Sequence, residues 1–190
     1  MAAVENFQVD QSVLPAAGTW ALDPTHTEVS FTARHLMVTK VRGRFPVQSG
    51  TITIEENPLL SSVVAVIDVA GVNSGEPGRD DHLRNADFFE VDKHPVITFR
   101  STKVEDAGGG DYKVTGDLTI KEVTRPVTLD LEYLGTIDSP FGDTRAGFSA
   151  STEISRKDWG ITFNMALEGG GVVVGDKIKL NIEAEAILQK

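Results

Sequence analysis

Four histidines, two groups of arginine and no cysteine set the limits of the chemistry open to this chain. Arg34, His35, Lys40, Arg42 and Arg44 all fall between Val29 and Ile54, a stretch with no Asp or Glu in a chain of formal net charge −10. A second group, Arg79, Asp80, His82 and Arg84, lies in the run RDDHLR. Guanidinium forks grip phosphate or other oxygen groups through paired hydrogen bonds, and imidazole adds a donor or acceptor near neutral pH. His35, Arg42 and Arg44, with Arg79, Asp80, His82 and Arg84, are therefore candidates for holding the polar head of a ligand. Arg42 and Arg44 share one strand parity, and Asp80 precedes Arg84 by four residues, the spacing at which a helix would pair them. A plainer reading stands beside this one: basic side chains on exposed strand faces, and a helix that only plugs one end.

Other chemistries are excluded more firmly. Without cysteine there is no disulfide, thiolate metal site or cysteine nucleophile. His26, His35, His82 and His94 are scattered, with neither HxH nor HExxH, so neither a metal nor a cofactor is expected. There is no GxSxG, no P-loop and no GxGxxG opening a helix. Asp80 and Asp81 are neighbours and face apart on a helix, which suits solvation and capping better than acid–base work. The acidic balance argues against nucleic acid or an anionic membrane surface as the main partner. No run approaches the ~20 apolar residues of a spanning helix, so stable membrane insertion is not expected. The first residues, MAAVENFQVDQSVLPAAG, have no basic and then apolar order of a secretory signal, and a cytoplasmic location follows as the expectation.

The elements that must position these residues are strands. Residues 1–17 read as a flexible arm and 18–190 as one domain. Val29, Phe31 and Ala33 alternate with polar neighbours, as do Val127, Leu129 and Leu131, and Phe148, Ala150, Thr152 and Ile154; Val63, Ala65, Ile67 and Val69 form another row. The clearest row is Ile178, Leu180, Ile182, Ala184 and Ala186, which should face inward while Lys179, Asn181, Glu183 and Glu185 face out. EDAGGGD at 105–111, DSPFGD at 138–143 and Gly175-Asp176 mark turns. Eight or nine strands joined by short loops give an antiparallel sheet, which must close or fold over to cover its apolar face. Small inward residues leave room inside, which favours a barrel over a packed sandwich. The expected lining is Phe31, Ala33, Met37, Ala65, Ile67, Phe148, Ala150, Trp159, Phe163, Ile182 and Ala184. Trp159 and Phe163 fit a barrel mouth and a closed core equally well. The expected cavity is a tunnel of several hundred Å³, against the ~300–1,000 Å³ usual for ligand pockets. Ser74–Phe89 is the best helical segment, with Ser74 as cap and Pro77 in the first turn, and His35–Thr39 reads as a short helical kink.

Four of these stretches resemble the YceI-like domain family of polyisoprenoid-binding, lipocalin-like proteins. They are DPTHTEVSFTARHLMVTKVRGRF (23–45), RDDHLRNADFFEVDKHPVITF (79–99), GDLTIKEVTRPVTL (116–129) and ISRKDWGI (154–161), in the family's order and covering Gly18 to Leu188. The resemblance implies an all-β fold, an extended eight-stranded antiparallel barrel with one or two short helices. It also implies a long nonpolar tunnel that binds, without catalysis, an isoprenoid lipid ligand for transport, storage or sequestration: a polyprenyl phosphate or an isoprenoid quinone. Family members are often dimeric, so a homodimer is carried as an expectation. Many members are periplasmic, in contrast to the cytoplasmic expectation here. Each buried CH₂ contributes about 0.8 kcal/mol, so a prenyl chain needs few polar contacts to bind. Two other functions stay open: an enzyme acting on a lipid or quinone through His35 or His82, and a filled barrel serving as a protein-interaction module.

Overall fold

A computed structural model of the chain describes residues 14–190. Residues 1–13 of the expected arm lie outside the described residues, while Leu14 packs against the core. Nine strands follow: β1 (Gly18–Leu22), β2 (Glu28–His35), β3 (Thr39–Ile54), β4 (Ser62–Asp68), β5 (Val96–Gly108), β6 (Asp111–Ile120), β7 (Val123–Asp138), β8 (Thr144–Ser155) and β9 (Val174–Leu188). One helix, α1 (Pro77–Arg84), and short 3-10 turns at Pro58–Leu60 and Arg156–Trp159 complete the elements.

The strands pair in the order β1-β3-β2-β9-β8-β7-β6-β5-β4, and β4 pairs back on β3. All pairings are antiparallel and the ring is closed. β1 and β2 occupy one position in that ring. β1 lies between β3 and β9 through Trp20↔Ile52 and Trp20↔Leu188, and β2 lies between the same strands through Phe31↔Gly43 and Phe31↔Leu180. The barrel therefore has eight staves, one of them broken at Asp23–Thr27. Closure removes the free edges that an open sheet would present.

Side-chain parity sets which residues face inward. Along β9, Leu180, Ile182 and Ala184 line the interior, Ala186 is fully buried and Lys179 and Glu183 are exposed, as the alternation requires. Two glycines accept aromatic rings laid flat along the wall. A methyl group at Gly43 would stand 2.4 Å from Phe31 Cζ, and one at Gly116 would stand 2.5 Å from Phe99 Cζ. The rings thus cover backbone rather than fill the centre, a recurrent partnership of aromatic residues with strand glycines.

Two local expectations are corrected. The helix is shorter than Ser74–Phe89, because Glu76 caps it by accepting from the Gly78 and Arg79 amides, with Pro77 at its first position. Ser74 instead hydrogen-bonds Asp80. His35–Thr39 is no helical kink but the tip of the β2–β3 hairpin. The Val38 amide donates to the His35 carbonyl at 3.2 Å, and Leu36 and Met37 both take positive φ, 50° and 63°. Right-handed strand twist favours such a turn, and here two bulky residues fill the positions that Asn and Gly usually take.

Candidate functional site

The interior holds two nonpolar chambers placed end to end. The first, ≈ 170 Å³, reaches from mid-barrel to the end formed by Leu14, Leu22 and the 54–62 loop. The second, ≈ 140 Å³, reaches from mid-barrel to the end covered by α1 and the Arg156–Trp159 turn. Val29, Ile67, Leu118 and Leu180 line both and form a waist between them. Each chamber is smaller than the single tunnel of several hundred Å³ expected, because four large aliphatic side chains meet at that waist.

Alternate residues along the strands supply the lining. Val63 and Ala65 of β4, Leu129 and Leu131 of β7, Phe148 and Ala150 of β8, and Ile182 and Ala184 of β9 face the first chamber. Phe31, Ala33, Phe45, Ile97, Trp159 and Ile178 face the second, with Leu83, Phe88 and Phe89 closing it from the α1 segment. Thr27, Ser61, Ser62 and Tyr112 border the first chamber, but the surface it presents is almost wholly nonpolar. At the second, among the described residues, there is one charged residue, Arg156.

Arg156 is 5% exposed and donates to the carbonyls of Gly175, Ile161, Phe163 and Val174 at 2.9–3.3 Å. Burial pushes its guanidinium below the ordinary arginine value, partly offset by Asp176. It fastens the 160–174 loop over the barrel end. Trp159 adds a second fastening, its indole N–H donating to the Leu118 carbonyl at 3.0 Å. Trp159 thus belongs to both of the open readings, being a buried core residue and part of a chamber wall.

Of the expected lining, Phe31, Ala33, Ala65, Ile67, Phe148, Ala150, Trp159, Ile182 and Ala184 stand at a chamber wall. Met37 does not: it lies on the hairpin tip, 59% exposed. Phe163 packs outside the chambers against His82 and Phe88, at ring separations of 4.9 and 5.4 Å.

The head-group candidates do not converge on one mouth. Arg42 and Arg44 lie on the outer face of β3, opposite Thr32 and Ser30, and Arg44 pairs there with Glu28 at 3.4 Å. Their inward neighbours are Gly43 and Phe45. His35 ends β2, half-buried and outside both linings. Arg79 holds the Ser74 hydroxyl and carbonyl. Asp80, buried, accepts from the Ser74 amide and hydroxyl and makes no pair with Arg84. Arg84 reaches the carbonyls of Ala70 and Val72 and pairs with Asp81 at 3.1 Å, because a turn of helix this short leaves its long side chain over the preceding loop. His82 Nε2 is 2.8 Å from Asp87, and its ring meets Phe88 and Phe163 edge to face. These four residues hold the cap over the second chamber in place.

Outside the barrel, the broken stave carries an ionic group that the spacing of residues gave little sign of. Arg145 bonds Asp23 and Asp143, each at 2.9 Å, and Glu185. His26 Nδ1 stands 2.9 Å from the Asp23 carboxylate, rather than bonding backbone as a turn histidine commonly does. Hydrogen bonds from His26, then Thr25 and others, hold the Asp23 carboxyl well below the usual range, and Asp23 and Glu185 raise the His26 imidazole. Asp23, His26 and Glu185 could offer three atoms to a metal ion. The Arg145 guanidinium is already bonded to both carboxylates, and its positive charge disfavours a second cation beside it.

Sequence reasoning left Tyr112, Val114 and Leu118 out of the lining. Their alternation with Lys113, Thr115 and Asp117 was the available sign. For Arg156 no periodicity points inward, since it sits in a turn.

A model of the YceI-like domain matches residues 20–186. Protein YceI of Escherichia coli is 39% identical over 166 residues, which span 87% of this chain and 83% of that one. The crystal structure of the YceI protein of Campylobacter jejuni superimposes with a TM-score of 0.66 at 32% identity, over 83% of this chain and 90% of its own. A polyisoprenoid binding domain from Saccharophagus degradans shares the fold at a TM-score of 0.64, with 17% identity and coverage of 92% and 100%.

Proposed function

Because the chain belongs to the YceI-like family, we propose that it binds a long-chain isoprenoid lipid inside the barrel and carries, stores or sequesters it without chemical change. The observation behind this reading is the pair of end-to-end chambers whose walls are almost wholly aliphatic and aromatic. Such a shape suits a chain that is long, thin and nonpolar, and the Saccharophagus degradans domain, described as polyisoprenoid-binding, has the same fold. A filled barrel would leave no such space. An acid–base role for His35 or His82 finds no support, since neither lines a chamber and His82 is engaged by Asp87.

The lining also favours one head group over another. Among the described residues, the first chamber presents an almost wholly nonpolar surface, and the second holds a guanidinium already shared among carbonyls. A buried phosphate needs an opposite charge or several free donors. A quinone or other neutral head needs far less, so an isoprenoid quinone fits better than a polyprenyl phosphate. Native mass spectrometry of the protein from its own host should find a copurifying prenyl lipid. After delipidation, a prenyl alcohol should bind at least as tightly as the matching prenyl phosphate. Failure to bind any prenyl chain would refute the carrier reading, and a large phosphate advantage would refute the choice of head group.

A further inference from the structure

The tip of the β2–β3 hairpin presents a continuous apolar edge to solvent. Leu36, Met37 and Val38 are 41%, 59% and 75% exposed, and Met165 from the neighbouring loop is 58% exposed. The two segments are joined. The Leu36 amide donates to the Val173 carbonyl at 2.9 Å, and Val173 donates to Met165 at 3.1 Å. Met37 lies against Gly171, where an added methyl would meet its Sδ at 2.6 Å. Leu36 and Met37 occupy left-handed backbone that bulky residues rarely adopt, so the fold itself does not call for them at these positions.

Three exposed cations stand directly behind this edge. Arg34, Lys40 and Arg42 form no ion pair among the described residues, although most basic residues elsewhere in the molecule do. Arg34 and Lys40 are register partners, and like charges placed opposite each other cost stability. Acidic groups on β9 and β8 nearby are already occupied: Asp176 by Arg156 and Lys157, and Glu153 by Lys177. Glu168 is the one acid in the 165–171 loop. Exposed apolar side chains at the opposite end lack this setting, since Phe141 stands between Asp138 and Asp143, and Leu59 and Leu60 follow Glu55 and Glu56.

We infer that this hairpin tip is a docking edge for an anionic lipid bilayer. Leu36, Met37, Val38 and Met165 enter the interfacial layer while Arg34, Lys40 and Arg42 meet acidic headgroups. Apolar side chains backed by cations are the pattern that binds such surfaces, and the attraction is local, so a net charge of −10 does not forbid it. The edge stands at the end of the barrel where Ala33 and Val174 line the second chamber, which brings a bilayer beside the cavity. The purpose rests on the carrier reading above, but the contact itself needs no loaded barrel.

Flotation of the full chain with vesicles tests this, using equal parts phosphatidylglycerol and phosphatidylcholine against phosphatidylcholine alone. The protein should float with the anionic vesicles, lose most binding at high salt, and bind the neutral ones at least about tenfold less. Arg42→Ser and Lys40→Ser should each weaken binding about fivefold. The variant L36N/M37G supplies the preferred turn residues, so its melting temperature should hold or rise while flotation falls about tenfold or more. Wild type that ignores anionic vesicles, or L36N/M37G that floats equally well, overturns the docking edge. So does sedimentation showing a wild-type dimer that L36N/M37G converts to monomer, which would assign the edge to a second copy. Ala150→Phe, which blocks the first chamber, should float like wild type. If prenyl binding fails while flotation persists, the carrier reading falls and the docking edge stands.

Discussion

Ala150→Phe measures whether the first chamber is usable space. Ala150 lies on β8 between its register partners Leu131 and Ile182, and all three line a void of ≈ 170 Å³. In a filled core an added phenyl ring would force neighbours apart at a cost of about 1–3 kcal/mol. In a void it displaces nothing and buries new apolar surface. Full burial of a Phe side chain is worth roughly 1.5–3 kcal/mol, so a net gain of about 1–2 kcal/mol over Ala is expected. For a chain of this size that raises the melting temperature by about 2–8 °C. The ring also takes the place of roughly one isoprene unit. At about 0.8 kcal/mol for each of five carbons, binding should weaken by about 4 kcal/mol, near a thousandfold. Both proteins must be delipidated first, since bound lipid would stabilise wild type by mass action. Thermal denaturation gives the first quantity. Quenching of tryptophan fluorescence by a prenyl quinone gives the second, with Trp159 at the wall of the second chamber as a built-in reporter. A variant destabilised by 2 kcal/mol or more that still binds like wild type would show the chamber to be packed and the site to lie elsewhere.

Other predictions follow from the cap, the broken stave and the wall. Arg156→Met removes a donor from four carbonyls, of which Val174 keeps the Asn164 side-chain amide at 2.7 Å, and should cost about 2–4 kcal/mol by denaturant melts, with Arg156→Lys recovering little because one ammonium cannot reach all four. At the broken stave two titrations pull in opposite directions. His26 is raised above 6.5 in the folded protein, so its contribution is complete below pH 6.5 and is lost as pH rises through the folded value. Asp23 is lowered below 3.8, so its contribution is complete above pH 3.8 and is lost as pH falls toward the folded value. His26→Asn should therefore flatten the alkaline limb of a melting-temperature profile and also make the acid limb shallower, since His26 is the first cause of the lowered Asp23 carboxyl; an unchanged alkaline limb would refute the assignment. Gly43→Ala should cost about 1–3 kcal/mol by crowding Phe31, and Phe31→Leu should recover part of it in a double-mutant cycle.

How much of this was legible depended on periodicity. β9 could be read residue by residue because Lys, Asn and Glu alternate with Ile, Leu and Ala without a break, and one buried face fixes the register. The same rule applied to VRGRFPV would have turned Arg42 and Arg44 outward, since Val41, Gly43, Phe45 and Val47 hold the inward parity. Their charge suggested chemistry, and parity decided their place. The helix start was misread because Ser74 is a good cap in general, while here Asp80 takes its hydroxyl and Glu76 does the capping. The two-chamber interior was not legible at all. Whether Leu118 and Leu180 meet Val29 and Ile67 depends on the stagger of strands far apart in sequence. Arg156 was hidden for a related reason, because a turn has no period from which direction can be read.

The shared stave has a consequence for how the molecule forms. β9, the last strand, is what joins β8 to β2 and β1, and contacts such as Thr27 with Glu185 span 158 positions of chain. Until it arrives the earlier strands can pair only as an open sheet, with the edges of β2 and β8 bare and the lining exposed to water. Closure is then a late, long-range event, the kind of step that places folding in milliseconds to seconds. A chain cut before Val174 would accordingly not be a smaller barrel but a sticky sheet, exposing to its neighbours the surface that the finished wall encloses.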